Sequence, residues 1–156
     1  MKLLLLFVGS TKEPYVAQGI DLYVQRTNFY AQLSISCTTN LKGISKSEEQ
    51  RKQEGKQILK QLLATDYMVL LDEKGKSLTS LNFSKIIAQQ QVHATKRMVF
   101  VICGAYGADN AVKERANLML SMSLFTFSHQ LARVVLAEQI YRGYTILHNH
   151  PYHNEG

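Results

Sequence analysis

Four short apolar runs, at residues 3–8, 33–37, 67–71 and 98–103, recur roughly every 30 residues and constrain the fold more than any other feature. Each is bounded by polar or turn residues, as buried strands are. Between the first two, Val16, Ile20, Tyr23 and Val24 fall at helical spacing over residues 15–28. Ser47 followed by Gln50 is a capping-box signature. The apolar face of the helix it opens begins only at Ile58, Leu59, Leu62 and Leu63, so the first half reads as solvated. Residues 72–76 read as a polar turn, and Ser80 as the cap of a helix placing Phe83, Ile86 and Ile87 on one side. Strand and helix alternate, which predicts a parallel α/β sheet sandwiched by helices, in one domain spanning residues 1–156.

Composition excludes several other classes. With 46% apolar and 19% charged residues the chain is too hydrophobic for disorder. The N-terminal run is too short for a membrane span or a secretory signal, so a soluble, cytoplasmic protein is expected. Cys37 and Cys103, far apart in apolar surroundings, read as small buried thiols in a reducing compartment. Eighteen basic against twelve acidic residues leave a net charge of +6, compatible with an anionic partner and equally with simple solubility. The most polar stretch, residues 42–57, mixes Lys42, Lys46, Arg51, Lys52 and Lys56 with Glu48, Glu49 and Glu54, and reads as a solvated helix face.

The chemistry-bearing features lie later in the chain. The turn Gly104-Ala105-Tyr106-Gly107 follows the fourth apolar run, where open α/β sheets bind ligands. It lacks dinucleotide-fingerprint and P-loop spacing, and Asp109 places a carboxylate at the next helix start, so a phosphate-free ligand is expected. Residues 120–128 alternate hydroxyl and apolar side chains without a charge, as the lining of an apolar pocket or a half-buried strand would. Ser128 caps a predicted helix over 129–142, stopped by Gly143. Its apolar residues spread around the axis, which points to cover on more than one side, including a second subunit. Glu138 and Arg142 are spaced as an i,i+4 pair, whereas Arg133 has no acidic residue three or four positions away. The tail carries His148, His150 and His153, but no cysteine is near and no metal is expected.

Several motifs occur in a fixed order: Leu71-Asp72-x-x-Gly75-Lys76, Val101-Ile102-Cys103-Gly104-x-x-Gly107, Leu120-Ser121 through Thr126-Phe127, His129-Gln130-x-x-Arg133-Val134, Glu138-Gln139-x-Tyr141-Arg142 and the ending His150-Pro151-Tyr152-His153. Together they resemble the ribosomal large-subunit methyltransferase H family of SPOUT methyltransferases over essentially the whole chain. The resemblance implies a homodimeric α/β domain with a C-terminal trefoil knot, a rare exception to unknotted chains. It also implies S-adenosylmethionine-dependent methylation of N3 of a pseudouridine in a 23S rRNA stem-loop, on the assembled ribosome. By position, cofactor contacts fall on Leu71, Cys103, Gly104, Met122, Ser123, Leu124, Phe125, Thr126 and Phe127. The chain departs from the family pattern at Cys103, where a glycine is usual, and at Ser128, where a proline is.

Methyl transfer from a sulfonium needs alignment, exclusion of water and removal of the N3 proton. Candidate groups are Arg133, expected to stabilise developing charge, and His129, with the tail histidines as further bases. Arg142, His150, Tyr152 and His153 are the expected RNA contacts. A non-catalytic RNA-binding module of α/β fold is the alternative, and a metal-dependent nuclease a poorer one, since no carboxylate cluster accompanies the histidines.

Overall fold

The computed structural model describes residues 1–39, 41 and 47–153; Lys42 and Lys46 of the polar stretch lie outside them. Among these residues five strands and five helices alternate: β1 (Lys2–Val8), α1 (Pro14–Thr27), β2 (Leu33–Thr38), α2 (Ser47–Lys60), β3 (Tyr67–Ser77), α3 (Ser80–Val92), β4 (Arg97–Ile102), α4 (Asn110–Arg115), β5 (Leu118–Ser121) and α5 (His129–Leu147). The strands form one parallel sheet in the order β2-β1-β4-β3-β5. Both faces are covered, which explains the unbroken apolar runs. Leu3, Leu5 and Phe7 of β1 pack with Val16 and Ile20 of α1, Phe83 and Ile87 of α3, and Leu136 and Ile140 of α5. The alternate residues Leu4, Leu6 and Val8 pack with Ile58 of α2 and Val112 of α4. Each such side chain contributes about 1.5–3 kcal/mol on burial.

Several expectations are corrected. Residues 72–76 are not a free turn: β3 continues to Ser77, and both Leu71 and Lys76 pair with Leu120 of β5 across a register shift. Gly75 permits this return, because a Cβ there would stand 2.6 Å from the Leu120 backbone. Thr79 rather than Ser80 caps α3, accepting from the Asn82 amide, and Ser80 Oγ instead donates to Gln139 Oε1 at 2.7 Å. Ser47 lies within α2 as its first residue. The first half of that helix, residues 47–53, has no buried residue, as expected, but burial begins at Glu54 and Gly55, ahead of Ile58, against the turn after β4. Nor does Gly143 stop α5. It is buried inside the helix, where a Cβ would meet Ile87 Cδ1 of α3 at 2.9 Å. The apolar faces of α5 thus gain much of their cover from α1 and α3 of the same chain. Cys37 is exposed on the edge strand β2, whereas Cys103 is buried as expected. Among the described residues no helix is long and apolar enough to cross a membrane.

Candidate active site

A cleft of about 870 Å³ opens beyond the carboxyl ends of β4 and β5 and beside the middle of β3, at residues 71–74. Leu71, Cys103, Gly104 and all of residues 122–127 line it, so the structure brings every sequence-predicted cofactor residue to one place. Gly104 and Gly107 bracket the turn on one side; the Gly107 amide donates to the Gly104 carbonyl at 3.0 Å, and φ of +76° at Gly107 suits glycine. Asp109 ends this turn as the N-cap of α4, with Oδ1 accepting from the Val112 amide at 3.1 Å.

The opposite wall is the loop after β5, and its hydroxyls have a local task. Ser121 Oγ donates to the Ser123 carbonyl at 3.2 Å, and Ser123 Oγ accepts from the Phe125 amide at 2.9 Å. Winding the loop this way ends β5 at Ser121 and turns Leu124 and Phe125 outward, 98% and 84% exposed. These two side chains therefore rim the cleft instead of forming an apolar interior. Arg51, Lys74 and Lys113 add positive charge to the lining, with Lys113 Nζ 3.6 Å from Asp72.

Burial first, and then the carboxylates of Glu54, Asp72 and Asp109, push the Cys103 thiol up to about 12. It is a neutral thiol at neutral pH and no nucleophile. His129 lines the cleft at the start of α5. Burial, and after it the charges of Arg133 and Lys12, hold its imidazole below the usual histidine range, with Glu54 opposing them. A neutral ring is thus present at neutral pH, able to accept a proton.

Arg133 is not at the cleft. Its side chain lies under the loop after β1, donating from one terminal nitrogen to the Val8 carbonyl at 2.8 Å and from the other to Thr11 Oγ1 at 2.9 Å. The guanidinium carbon stands 4.7 Å from the Phe7 ring centroid. Arg133 shares a helical face with His129, one turn earlier, and with Leu136 and Ala137, but its side chain is directed onto β1 and the loop after it. Within one subunit it can anchor the loop and act on His129 through its charge, but it does not reach the lining.

The predicted RNA contacts form a separate cluster. Glu138 Oε1 accepts from Arg142 Nε at 2.9 Å and from the Tyr152 hydroxyl at 3.1 Å. The Arg142 guanidinium lies over the Tyr152 ring at 4.7 Å and one of its nitrogens is 3.2 Å from His153 Nδ1. His150, exposed, accepts from the Tyr152 amide at 3.2 Å. None of the four lines the cleft of its own chain. Among the described residues no three histidine, cysteine or acidic side chains are placed to hold a metal ion.

Glu54 was missed as a site residue. It is only 4% exposed, with Oε1 accepting from Gln50 Nε2 at 2.8 Å and Oε2 directed at Gly104, where a Cβ would be 2.8 Å away. A helical stripe of Arg51, Glu54, Gly55 and Ile58 was visible in the spacing, but the surrounding mixed charges masked it.

A parallel α/β sheet with a glycine turn and a wound loop facing each other across its carboxyl edge is the architecture of a cofactor-binding transferase fold. A sequence model described as predicted SPOUT methyltransferase matches residues 1–153. The chain is 41% identical over 157 aligned residues to the ribosomal RNA large subunit methyltransferase H of Parabacteroides distasonis, covering 99% of this chain and all of that protein. The protein of the same name from Trichlorobacter lovleyi is 40% identical over 154 residues, with the same coverage. The chain belongs to the SPOUT methyltransferase family and groups within it with the proteins named ribosomal RNA large subunit methyltransferase H. Among solved structures, a probable methylase family protein from Haemophilus influenzae shares the fold, with a TM-score of 0.55 and 8% identity over 94% of this chain and 66% of that one.

Proposed function

We propose that this protein methylates N3 of a pseudouridine in a 23S rRNA stem-loop on the assembled ribosome, using S-adenosylmethionine and acting in the cytoplasm as a homodimer of single-domain, C-terminally knotted subunits. The observation that carries the reading is the cleft between the turn at Gly104 and the loop at 122–127, which gathers the whole predicted cofactor set. Its volume suits a nucleoside-sized ligand, and the buried free oxygen of Glu54 beside Gly104 fits a ligand that is a cation. The names of the full-length relatives support rRNA as substrate.

Bound there, the cofactor supplies a methyl group activated by its sulfonium. Leu71, Gly104 and residues 122–127 would hold it, and the Cys103 thiol, kept neutral, does not compete for the methyl group. A ring nitrogen of His129, neutral at working pH, accepts the proton that leaves N3. Arg133 acts at a distance, fixing the loop after β1 against α5 and keeping His129 unprotonated. Arg142, His150, Tyr152 and His153 contact the RNA from the folded-back tail. A charge of +6 per chain, doubled to about +12 in a dimer, strengthens binding to a polyanionic particle.

Mass spectrometry of 23S rRNA from cells lacking the protein tests this directly. Loss of one methylated pseudouridine is expected, and retention of every one overturns the assignment. Calorimetry with S-adenosylmethionine separates the enzyme from a non-catalytic RNA-binding module: one site per subunit is expected, and no heat at any concentration overturns the methyltransferase reading.

A further inference from the structure

Three carboxylates surround the base of the turn at Gly104, and two of them are already committed. Asp72 faces Lys113 at 3.6 Å and also accepts from the Lys74 amide; Asp109 caps α4. Glu54 differs. It is 96% buried, and among the described residues its Oε1 has only the neutral Gln50 amide and its Oε2 no partner. No cation pairs with it among the described residues. A buried carboxylate oxygen without a partner costs free energy that a nearby positive charge would offset.

The place of this oxygen decides what can supply that charge. Between it and the cleft stands Gly104, a residue with no side chain, and a Cβ at that position would collide with the carboxylate. The wall is therefore thinnest where the negative charge is nearest. The field reaches the cleft, since both Cys103 and His129, which line it, respond to Glu54.

Resting on the methyltransferase reading above, we propose that Glu54 is the residue that makes the cleft prefer the cationic sulfonium cofactor over its neutral thioether product. The two ligands differ by a methyl group and one positive charge, so a carboxylate behind Gly104 favours the first electrostatically and helps the second to leave. This would work against product inhibition without any contact that distinguishes the adenosine or amino-acid portions.

The test is calorimetric, on the full-length protein, with S-adenosylmethionine and S-adenosylhomocysteine titrated separately into the wild type, Glu54→Gln and Glu54→Asp. Gln keeps the shape and removes the charge; its preference for the sulfonium over the thioether should fall about tenfold relative to wild type. Asp keeps the charge and should retain most of the preference. Equal weakening of both ligands in Glu54→Gln, or no change in either, overturns the inference while leaving the methyltransferase reading intact. Should Glu54→Gln fail to fold by circular dichroism, loss of the preference in folded Glu54→Asp overturns it as well. A wild type that binds neither ligand removes both the inference and the reading on which it rests.

Discussion

Arg133 heads the fully buried side chains by size, and among the described residues no carboxylate answers its charge. Among those residues its hydrogen bonds go to one carbonyl and one hydroxyl, and Nε has no partner. Such a residue is a poor stabiliser, because desolvating a guanidinium offsets most of what these contacts contribute. Arg133→Met should therefore fold with a urea-derived stability within about 1 kcal/mol of wild type. Its effect belongs on His129, whose imidazole this charge helps to hold low. Losing the charge raises that pKa, so the acid limb of the pH–activity profile should move to higher pH. An unmoved limb would remove the electrostatic role of Arg133 and leave only its anchoring of the loop after β1. The spacing around Arg133 revealed the missing acidic partner but not the direction of the side chain. That direction follows from how α5 rotates against β1, a tertiary property no local pattern carries.

At the scale of elements, the pairing of β3 with β5 depends on a glycine at the return. Gly75→Ala would drive a Cβ to within 2.6–2.7 Å of the backbone of Met119 and Leu120, atoms that no rotamer change can move. We expect a loss above about 3 kcal/mol in urea denaturation, or no folded protein. Gly107→Ala, strained by its positive φ but with nothing within 4 Å of the new atom, should cost only about 1 kcal/mol. A Gly75→Ala protein as stable as wild type would mean that β3 does not return along β5. The tail offers a second check. Glu138 gathers Arg142 and Tyr152, so Glu138→Gln should loosen the last residues and speed chymotryptic cleavage after Tyr152; an unchanged rate would show that other contacts hold it. Strands β1 and β4 were legible because doubly buried parallel strands are apolar at nearly every position, whereas the edge strand β2 alternates serine with apolar residues. The second half of β3 was not, since Asp72, Glu73, Lys74 and Lys76 carry the composition of a loop and only pairing with β5 makes them strand.

For the molecule as a whole, the two ends of the sheet have different tasks. The carboxyl end bears the cleft. The amino end is tied by Asp66, which receives Arg97 Nε at 2.8 Å and whose carboxylate also accepts from the Leu63 amide, while Arg115 reaches the Leu63 and Asp66 carbonyls. Burial alone would raise the Asp66 carboxyl, but the Arg97 and Leu63 hydrogen bonds outweigh it and hold the group below its usual range. A lowered pKa adds stability that is complete above about pH 4 and is lost as pH falls through the folded value. Asp66→Asn should therefore cost about 3 kcal/mol at neutral pH, and the gap to wild type should close under acid. A gap that persists to pH 2 would assign the loss to packing instead. Neither this anchor nor the cleft was readable from composition: a net charge of +6 hides a tied end and an open end, each mixing both signs.

The parallel sheet also sets a timetable for the chain as it is made. Among the described residues no strand has a hairpin partner; Leu3 pairs with Leu33, while Lys2 pairs with Arg97 on the other flank. At about 5–20 residues per second, the most apolar segment of the protein emerges seconds before its second neighbour exists. Through that interval β1 presents an unpaired, adhesive edge, and β3 has yet to gain the β5 strand that completes its own pairing. The yield of newly synthesised protein is then governed by shielding of the N-terminal segment during translation, a vulnerability that equilibrium stability does not measure.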